Sequence, residues 1–171
     1  MQARFSRLAP LPPRAAFPVV RAMQTRWLDN DHYGHVNNVV YYSYFDTAVN
    51  GWLIEASGRD IRALPAIGIV AETSCRYLRP IGFPDPLEVG LAIARLGRSS
   101  VTYRLAVFRA GDDEPCALGR FVHVYVDRHG RRPIDIPAEL RAVLAPVRDA
   151  TGARFAAAGV ADDLDPRAPA G

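Results

Sequence analysis

Lysine is missing altogether: all 21 basic side chains are arginine. Without a primary side-chain amine the chain can form no lysine Schiff base, no phosphate loop built around a lysine and no kinase-type active site. Cysteine is scarce, and Cys75 and Cys116 fit neither a metal-ligand spacing nor a CxxC pair, so both read as buried free thiols. No G-x-S-x-G is present, which removes the strand-to-helix elbow of a serine hydrolase. No apolar run approaches the roughly 20 residues of a membrane-spanning helix. The opening MQARFSRLAPLPPRAAF is interrupted by Pro10, Pro12 and Pro13 and lacks the continuous apolar stretch of a secretory signal. A cytoplasmic protein without a membrane partner is expected. The formal charge of +3 is a mild excess, and arginine beside so much alanine reads as codon bias rather than a polyanion site, so no nucleic-acid partner is expected.

What the chain does have is a core. With 171 residues, 49% of them hydrophobic, it suits one domain. Residues 1–17 and 147–171 are rich in proline, alanine, arginine and aspartate without sustained periodicity and read as tails, leaving 18–146 as the folded unit. In that unit Val39, Tyr42, Phe45, Val49, Trp52 and Leu53 follow a three-to-four-residue spacing that predicts a helix from about 38 to 57, stopped by Gly58. Strand-like segments are expected at 18–27, 69–78, 87–96, 100–108 and 117–127, separated by glycine, proline and aspartate. A short helix is expected after Pro137. The order predicts an α+β protein, a five-stranded antiparallel sheet wrapped around a long central helix. Such a sheet leaves an edge that pairing would hide, so a homodimer is expected.

Polar chemistry is concentrated in one place. Residues 26–38, RWLDNDHYGHVNN, hold three of the four asparagines and two of the four histidines. They lie where a strand gives way to the helix, so two carboxylates and two imidazoles stand beside the free N–H groups of a helix start, the arrangement an oxyanion needs. Asp31 precedes His35 by four residues and Asn38 by seven, and a loop folding back over the helix start would bring its carboxylate to those N–H groups. Plainer roles are also open. Asn37 or Asn38 could only cap the helix, Gly34 could only supply a turn with positive φ, and Asp29 could be a solvated turn residue. Asp29, Asp31, His32 and His35 are potential metal ligands, but His123 and His129 have no spacing that adds a ligand from a second segment, and no metal or other cofactor is expected.

The run Trp27-x-Asp29-x-Asp31-x-x-Gly34-His35-Val36-Asn37-Asn38-x-x-Tyr41 resembles the signature of the hotdog-fold acyl-CoA thioesterases, the family named after 4-hydroxybenzoyl-CoA thioesterase. The segments Ser74-Cys75-Arg76-Tyr77-Leu78-Arg79-Pro80, Asp85-x-Leu87-Glu88-Val89 and Leu96-Gly97-Arg98-Ser99-Ser100-Val101 resemble it in order and spacing. The likeness covers about residues 18 to 145 and implies the hotdog fold, with a homodimer or homotetramer as the assembly. It places the usual catalytic carboxylate on Asp31 and the carbonyl-polarising N–H on Asn38. The plant acyl-carrier-protein thioesterases share the Asp and His that fall on Asp31 and His35, but this chain has Tyr33 where they carry an asparagine. The reaction implied is hydrolysis of an acyl-CoA thioester to a carboxylic acid and CoA, with Asp31 as general base or nucleophile. Because a thiolate leaves readily, one carboxylate and a polarised carbonyl suffice. Alternatives are a non-catalytic acyl-CoA-binding hotdog protein, and hydratase or dehydratase chemistry on an acyl thioester. Tyr41, Tyr42, Tyr44, Phe45 and Trp52 either line an acyl pocket or pack against the sheet; Tyr41 is taken as substrate-binding. The turn Gly97-Arg98-Ser99-Ser100, near Arg95, either receives the phosphates of CoA through Arg98, Ser99 and Ser100 or is a plain hairpin turn.

Overall fold

A computed structural model describes residues 10–160. Five strands, β1 (Val19–Gln24), β2 (Ala66–Tyr77), β3 (Pro86–Leu96), β4 (Ser100–Arg109) and β5 (Ala117–Asp127), form one sheet in the order β1-β3-β4-β5-β2, every pairing antiparallel. Helix α1 (Val40–Ser57) crosses its inner face, and α2 (Ala138–Ala157) follows the last strand. This is the hotdog architecture. All five strands fall where the sequence predicts them, apart from shifts of a few residues at their ends.

α1 is held to the sheet by one stripe. Tyr41, Tyr44, Phe45, Ala48, Val49, Trp52 and Leu53 are its buried residues, spaced by three and four so that they share a face. The helix can approach closely because β5 carries Gly119 beneath it: a Cβ there would stand 2.4 Å from the Phe45 ring. Phe45 then packs edge-on to Phe121, with ring centroids 5.7 Å apart. Losing that ring would cost roughly 3–5 kcal/mol.

The tails are shorter than expected at both ends. Residues 147–157 continue α2, because Thr151 and Phe155 are buried. Phe17 is also buried, and it meets Phe155 and Phe108 on the outer face of the sheet at centroid distances of 5.4 and 5.7 Å. The parts of the two expected tails at residues 1–9 and 161–171 lie outside the described residues. The long α2 also serves a strand edge. β1 pairs with β3 only as far as Val19 opposite Leu91, and beyond that point the Ile93 N–H donates to the buried Thr151 hydroxyl at 3.1 Å. That hydroxyl in turn donates to Val147 O at 2.7 Å. A ladder donor that β1 does not reach is satisfied from the helix.

β2 forms the far edge, with β5 on one side and no strand on the other among the described residues, and its middle is exposed from Gly68 to Thr73. Ile69 and Val70 are 38% and 45% exposed, high for β-branched residues in a strand.

Candidate active site

The chain between β1 and α1 is pinned by a carboxylate. Asp29, at the end of a short 3-10 turn (Trp27–Asp29), is 1% exposed. Its Oδ2 accepts from the Arg26 N–H at 2.7 Å and from the Tyr44 hydroxyl at 2.6 Å, and its Oδ1 accepts from Arg26 Nε at 3.0 Å. Burial alone would raise its pKa, but Tyr44 and Arg26 outweigh that and hold it below the usual carboxylate range. The opposite half of the same contact pushes the Tyr44 phenol far up, burial first, then the hydrogen bond to Asp29, then the Asp29 charge. Asp29 is therefore not the solvated turn residue its sequence context allows. Its carbonyl also accepts from the Asn37 N–H at 2.8 Å, tying both ends of the segment together.

Between those ties the chain makes a tight loop. Asp31 N–H donates to His35 O at 2.8 Å and Gly34 N–H to Asp31 O at 3.1 Å. Gly34 takes φ +82°, the left-handed conformation that glycine adopts without strain. The loop rests on residues 81–83: Val36 N–H donates to Ile81 O at 2.7 Å and Phe83 N–H to Asn30 Oδ1 at 3.0 Å. Asp31 points its carboxylate back onto the loop, where Oδ1 accepts from the Tyr33 N–H at 2.8 Å. The other oxygen has no partner among the described residues.

At the start of α1 the two adjacent asparagines divide the work. Asn37 acts as the cap, its Oδ1 accepting from the Val39 N–H at 3.2 Å and its carbonyl from Val40 N–H at 2.9 Å. Asn38 is exposed, and its N–H has no acceptor among the described residues. Its carbonyl is held by the Tyr77 hydroxyl at 2.8 Å. Tyr77 stands edge-on to Tyr41, centroids 5.0 Å apart. Burial pushes the Tyr41 phenol up to about 12 and raises that of Tyr77 as well, so both are protonated donors at neutral pH.

These residues line one open pocket of about 300 Å³, in which Asp31, His35, Asn38 and Tyr41 face Tyr77 and Arg79. Four of the residues expected from sequence are thus brought together. Tyr77 and Arg79 are additions. They lie in the segment that resembles the family, but nothing in their own spacing marks them, because they arrive from the far end of β2. Arg79 is tethered by Asp112 at 3.3 Å and by the Glu114 carbonyl, while its buried Nε has no hydrogen-bond partner among the described residues.

Arg98, Ser99 and Ser100 are not in this pocket. Ser100 pairs with Val124 of β5, whereas Tyr77 pairs with Ala117, and the seven residues between correspond to roughly 23 Å along the strand. The Arg98 guanidinium meets Asp135 at 2.6 Å, and the Gly97 and Arg98 carbonyls accept from Arg141 at 2.6 and 3.0 Å. Among the described residues no three His, Cys, Asp or Glu side chains gather as a metal site, and no helix is long and apolar enough to cross a membrane. Cys116 is buried and Cys75 half-buried, both as free thiols.

Comparison with known proteins agrees with this geometry. The PA5185 protein of Pseudomonas aeruginosa strain PAO1 is 53% identical over 81% of this chain and 97% of its own, with a TM-score of 0.79. A thioesterase from Thermus thermophilus, solved with coenzyme A and zinc, is 33% identical over 75% of this chain and 98% of its own, with a TM-score of 0.63. A 1,4-dihydroxy-2-naphthoyl-CoA thioesterase from Synechocystis, 15% identical over 74% of this chain and 94% of its own, shares the fold with a TM-score of 0.68. The family model of the thioesterase-like superfamily matches residues 25–144, which spans the loop, the helix and all of the sheet after β1, and the chain belongs to that superfamily of hotdog-fold thioester hydrolases.

Proposed function

We propose that the protein is a cytoplasmic acyl-CoA thioesterase in which Asp31 is the catalytic carboxylate and the Asn38 N–H polarises the thioester carbonyl. The observation that carries this reading is the pocket itself: Asp31, with one carboxylate oxygen unengaged, shares it with the unpaired N–H at the start of α1. A thioester carbonyl on that N–H gains stabilisation as its oxygen becomes an oxyanion. Asp31 then either deprotonates a water that attacks the carbonyl carbon or attacks it directly, giving an anhydride that water opens. In both routes the C–S bond breaks, the thiolate of CoA takes a proton, and the acyl group leaves as a carboxylic acid. The Tyr33 N–H orients the carboxylate, and His35 and Tyr41 line the approach to it. The Thermus relative solved with coenzyme A supports CoA as the thiol portion of the substrate.

The assembly we infer is a homodimer paired along β2, with a homotetramer as the larger form. Two copies of β2 set antiparallel would cover Ile69 and Val70 and extend the sheet. The same two-fold carries the 97–100 turn of one copy toward the end of the partner that holds Asp31, which is how Arg98, Ser99 and Ser100 could still meet CoA phosphates. Val70→Lys should give a monomer by sedimentation with most activity lost.

The deciding experiment is thiol release from a panel of short, long and aryl acyl-CoAs. Asp31→Asn should lower kcat by on the order of a hundredfold or more while leaving the oligomer folded. Near wild-type turnover in that variant would remove Asp31 from the chemistry. Binding without turnover by the wild type would favour the acyl-CoA-binding alternative.

A further inference from the structure

The outer face of the sheet gathers arginine. β4 and β5 set Arg104 directly opposite Arg120, and β5 and β2 set Leu118 opposite Arg76 and Val122 opposite Glu72. β3 and β4 set Arg95 opposite Thr102, whose partner on β5 is again Val122. Residues directly across a strand pair share a face, and Ala92, Ala106 and Leu118 of the same rows pack with Phe17 and Phe155 in the outer cluster. Four guanidiniums therefore share these rows with one carboxylate, that of Glu72, which accepts from Arg120. Like charges placed directly opposite weaken a strand pair, so the face calls for negative charge from elsewhere. Arg76 shows the need at a single atom. The residue is half-buried, and its Nη1 is sealed from solvent with no hydrogen-bond partner among the described residues, an arrangement that forfeits hydration without return.

The chain itself delivers such charge to this face. α2 closes with Gly159 N–H donating to Ala156 O and Val160 N–H to Phe155 O, both at 3.1 Å, and Gly159 takes φ +64°. This way of ending a helix folds the following residue back over the last turn, and Val160 packs on the outer cluster that contains Phe155. The Arg104 guanidinium lies over the same Phe155 ring, 4.8 Å from its centroid, so the chain leaves Val160 at the edge of the arginine rows. The next residues are Ala161-Asp162-Asp163-Leu164-Asp165, three carboxylates without a base. At roughly 3.6 Å per residue, Asp162 can lie within about 7 Å of Val160 and Asp165 within about 18 Å. From β4 across β5 to β2 is about 10 Å, so the segment spans the rows. A second copy of this face would instead bring arginine against arginine.

We propose that the arginine rows of the outer face are the docking site of the chain's own residues 161–165, whose aspartates engage Arg76 and Arg104 and leave Glu72 to Arg120. Because the segment is tethered at the edge of its site, pairs too weak to retain a free peptide suffice to hold it. The docked segment closes the outer face to other anions.

The experiment compares the full-length protein with the full-length variant Asp162→Asn/Asp163→Asn/Asp165→Asn. In ¹⁵N spectra the backbone and Nε–H signals of Arg76 and Arg104 should shift, and Tm at low ionic strength should fall by roughly 2–4 °C. In an Arg76→Gln background the same triple substitution should lower Tm by at most about half as much, which separates a contact from the general rise in net charge. Sodium sulfate serves as the probe of vacancy. It should move the Arg76 signals of the triple variant at a several-fold lower concentration than those of the wild type. If Arg76→Gln fails to fold, the sulfate comparison decides alone, since it needs no arginine substitution. Arginine signals unmoved by the triple substitution, or an equal fall in Tm in both backgrounds, overturn the proposal. Sulfate acting equally on wild type and variant also overturns it, and would leave the rows as an open site for a dissolved anion or an acidic partner.

Discussion

The Tyr44 hydroxyl donates to the Asp29 carboxylate at 2.6 Å inside the core, so a residue one turn into α1 fixes the loop that precedes the helix. Asp31, two positions on, is left half-buried at the pocket. One carboxylate holds the loop in place and the other lines the pocket, where we propose that it does the chemistry.

That division predicts opposite phenotypes. Asp29→Ala should destabilise the fold by roughly 3 kcal/mol, because Arg26 and Tyr44 lose a buried partner, and Tyr44→Phe by about 1–2 kcal/mol. Since the folded protein holds the Asp29 carboxyl below its ordinary range, its contribution is complete above the unfolded pKa of roughly 4 and is lost as pH falls through the folded value. The Tm gap between wild type and Asp29→Asn should therefore be widest near neutral pH and narrow below about pH 4. A gap that widened on acidification would contradict the assignment.

Tyr77 offers a test of the helix start. Its hydroxyl fixes the Asn38 carbonyl, and with it the peptide plane beside the N–H proposed to meet the substrate. Tyr77→Phe should lower kcat by roughly three- to tenfold with little change in Tm, the loss of one positioning hydrogen bond. Unchanged kcat on the best substrate would show that this tether is irrelevant to turnover.

For Arg98 the expected effect depends on which end of CoA is present. If the 97–100 turn of one copy serves the pocket of the other, Arg98→Ala should raise KM for acyl-CoA more than it lowers kcat, and the penalty should shrink for an acyl-pantetheine lacking the nucleotide phosphates. Equal effects on both substrates would leave Arg98 as the surface partner of Asp135.

The Thr151 contact with Ile93 can be measured by stability alone. Thr151→Val keeps the shape and removes the acceptor, orphaning a strand N–H at a cost of roughly 1–3 kcal/mol, a fall in Tm of roughly 3–8 °C. Thr151→Ser should recover most of it.

How legible all this is in the sequence follows from range. α1 and the five strands are carried by local periodicity, and Gly58 ends the helix where expected, with φ +62°. The extent of α2 is not legible: its buried Leu140, Leu144, Thr151 and Phe155 are separated by alanine, arginine, Pro146 and Gly152, so no dense apolar stripe marks it, and Thr151 is buried for the sake of a backbone N–H on a distant strand. The same holds in the site. Asp31, His35, Asn38 and Tyr41 sit within eleven residues and declare themselves as a cluster. Which of Asp29 and Asp31 goes inside is decided by Tyr44, and the opposite wall of the pocket is decided by where β2 ends.

Phe17 and Phe155 share one aromatic contact on the outer face, and Arg154 reaches back to the Ala15 and Phe17 carbonyls at 3.3 and 3.5 Å. A truncation is therefore never confined to one end. A fragment stopped at residue 146 would bare the ring of Phe17, and one begun at residue 18 would bare that of Phe155, leaving in either case an apolar patch prone to self-association. The shortest stable version of this domain has to keep both ends.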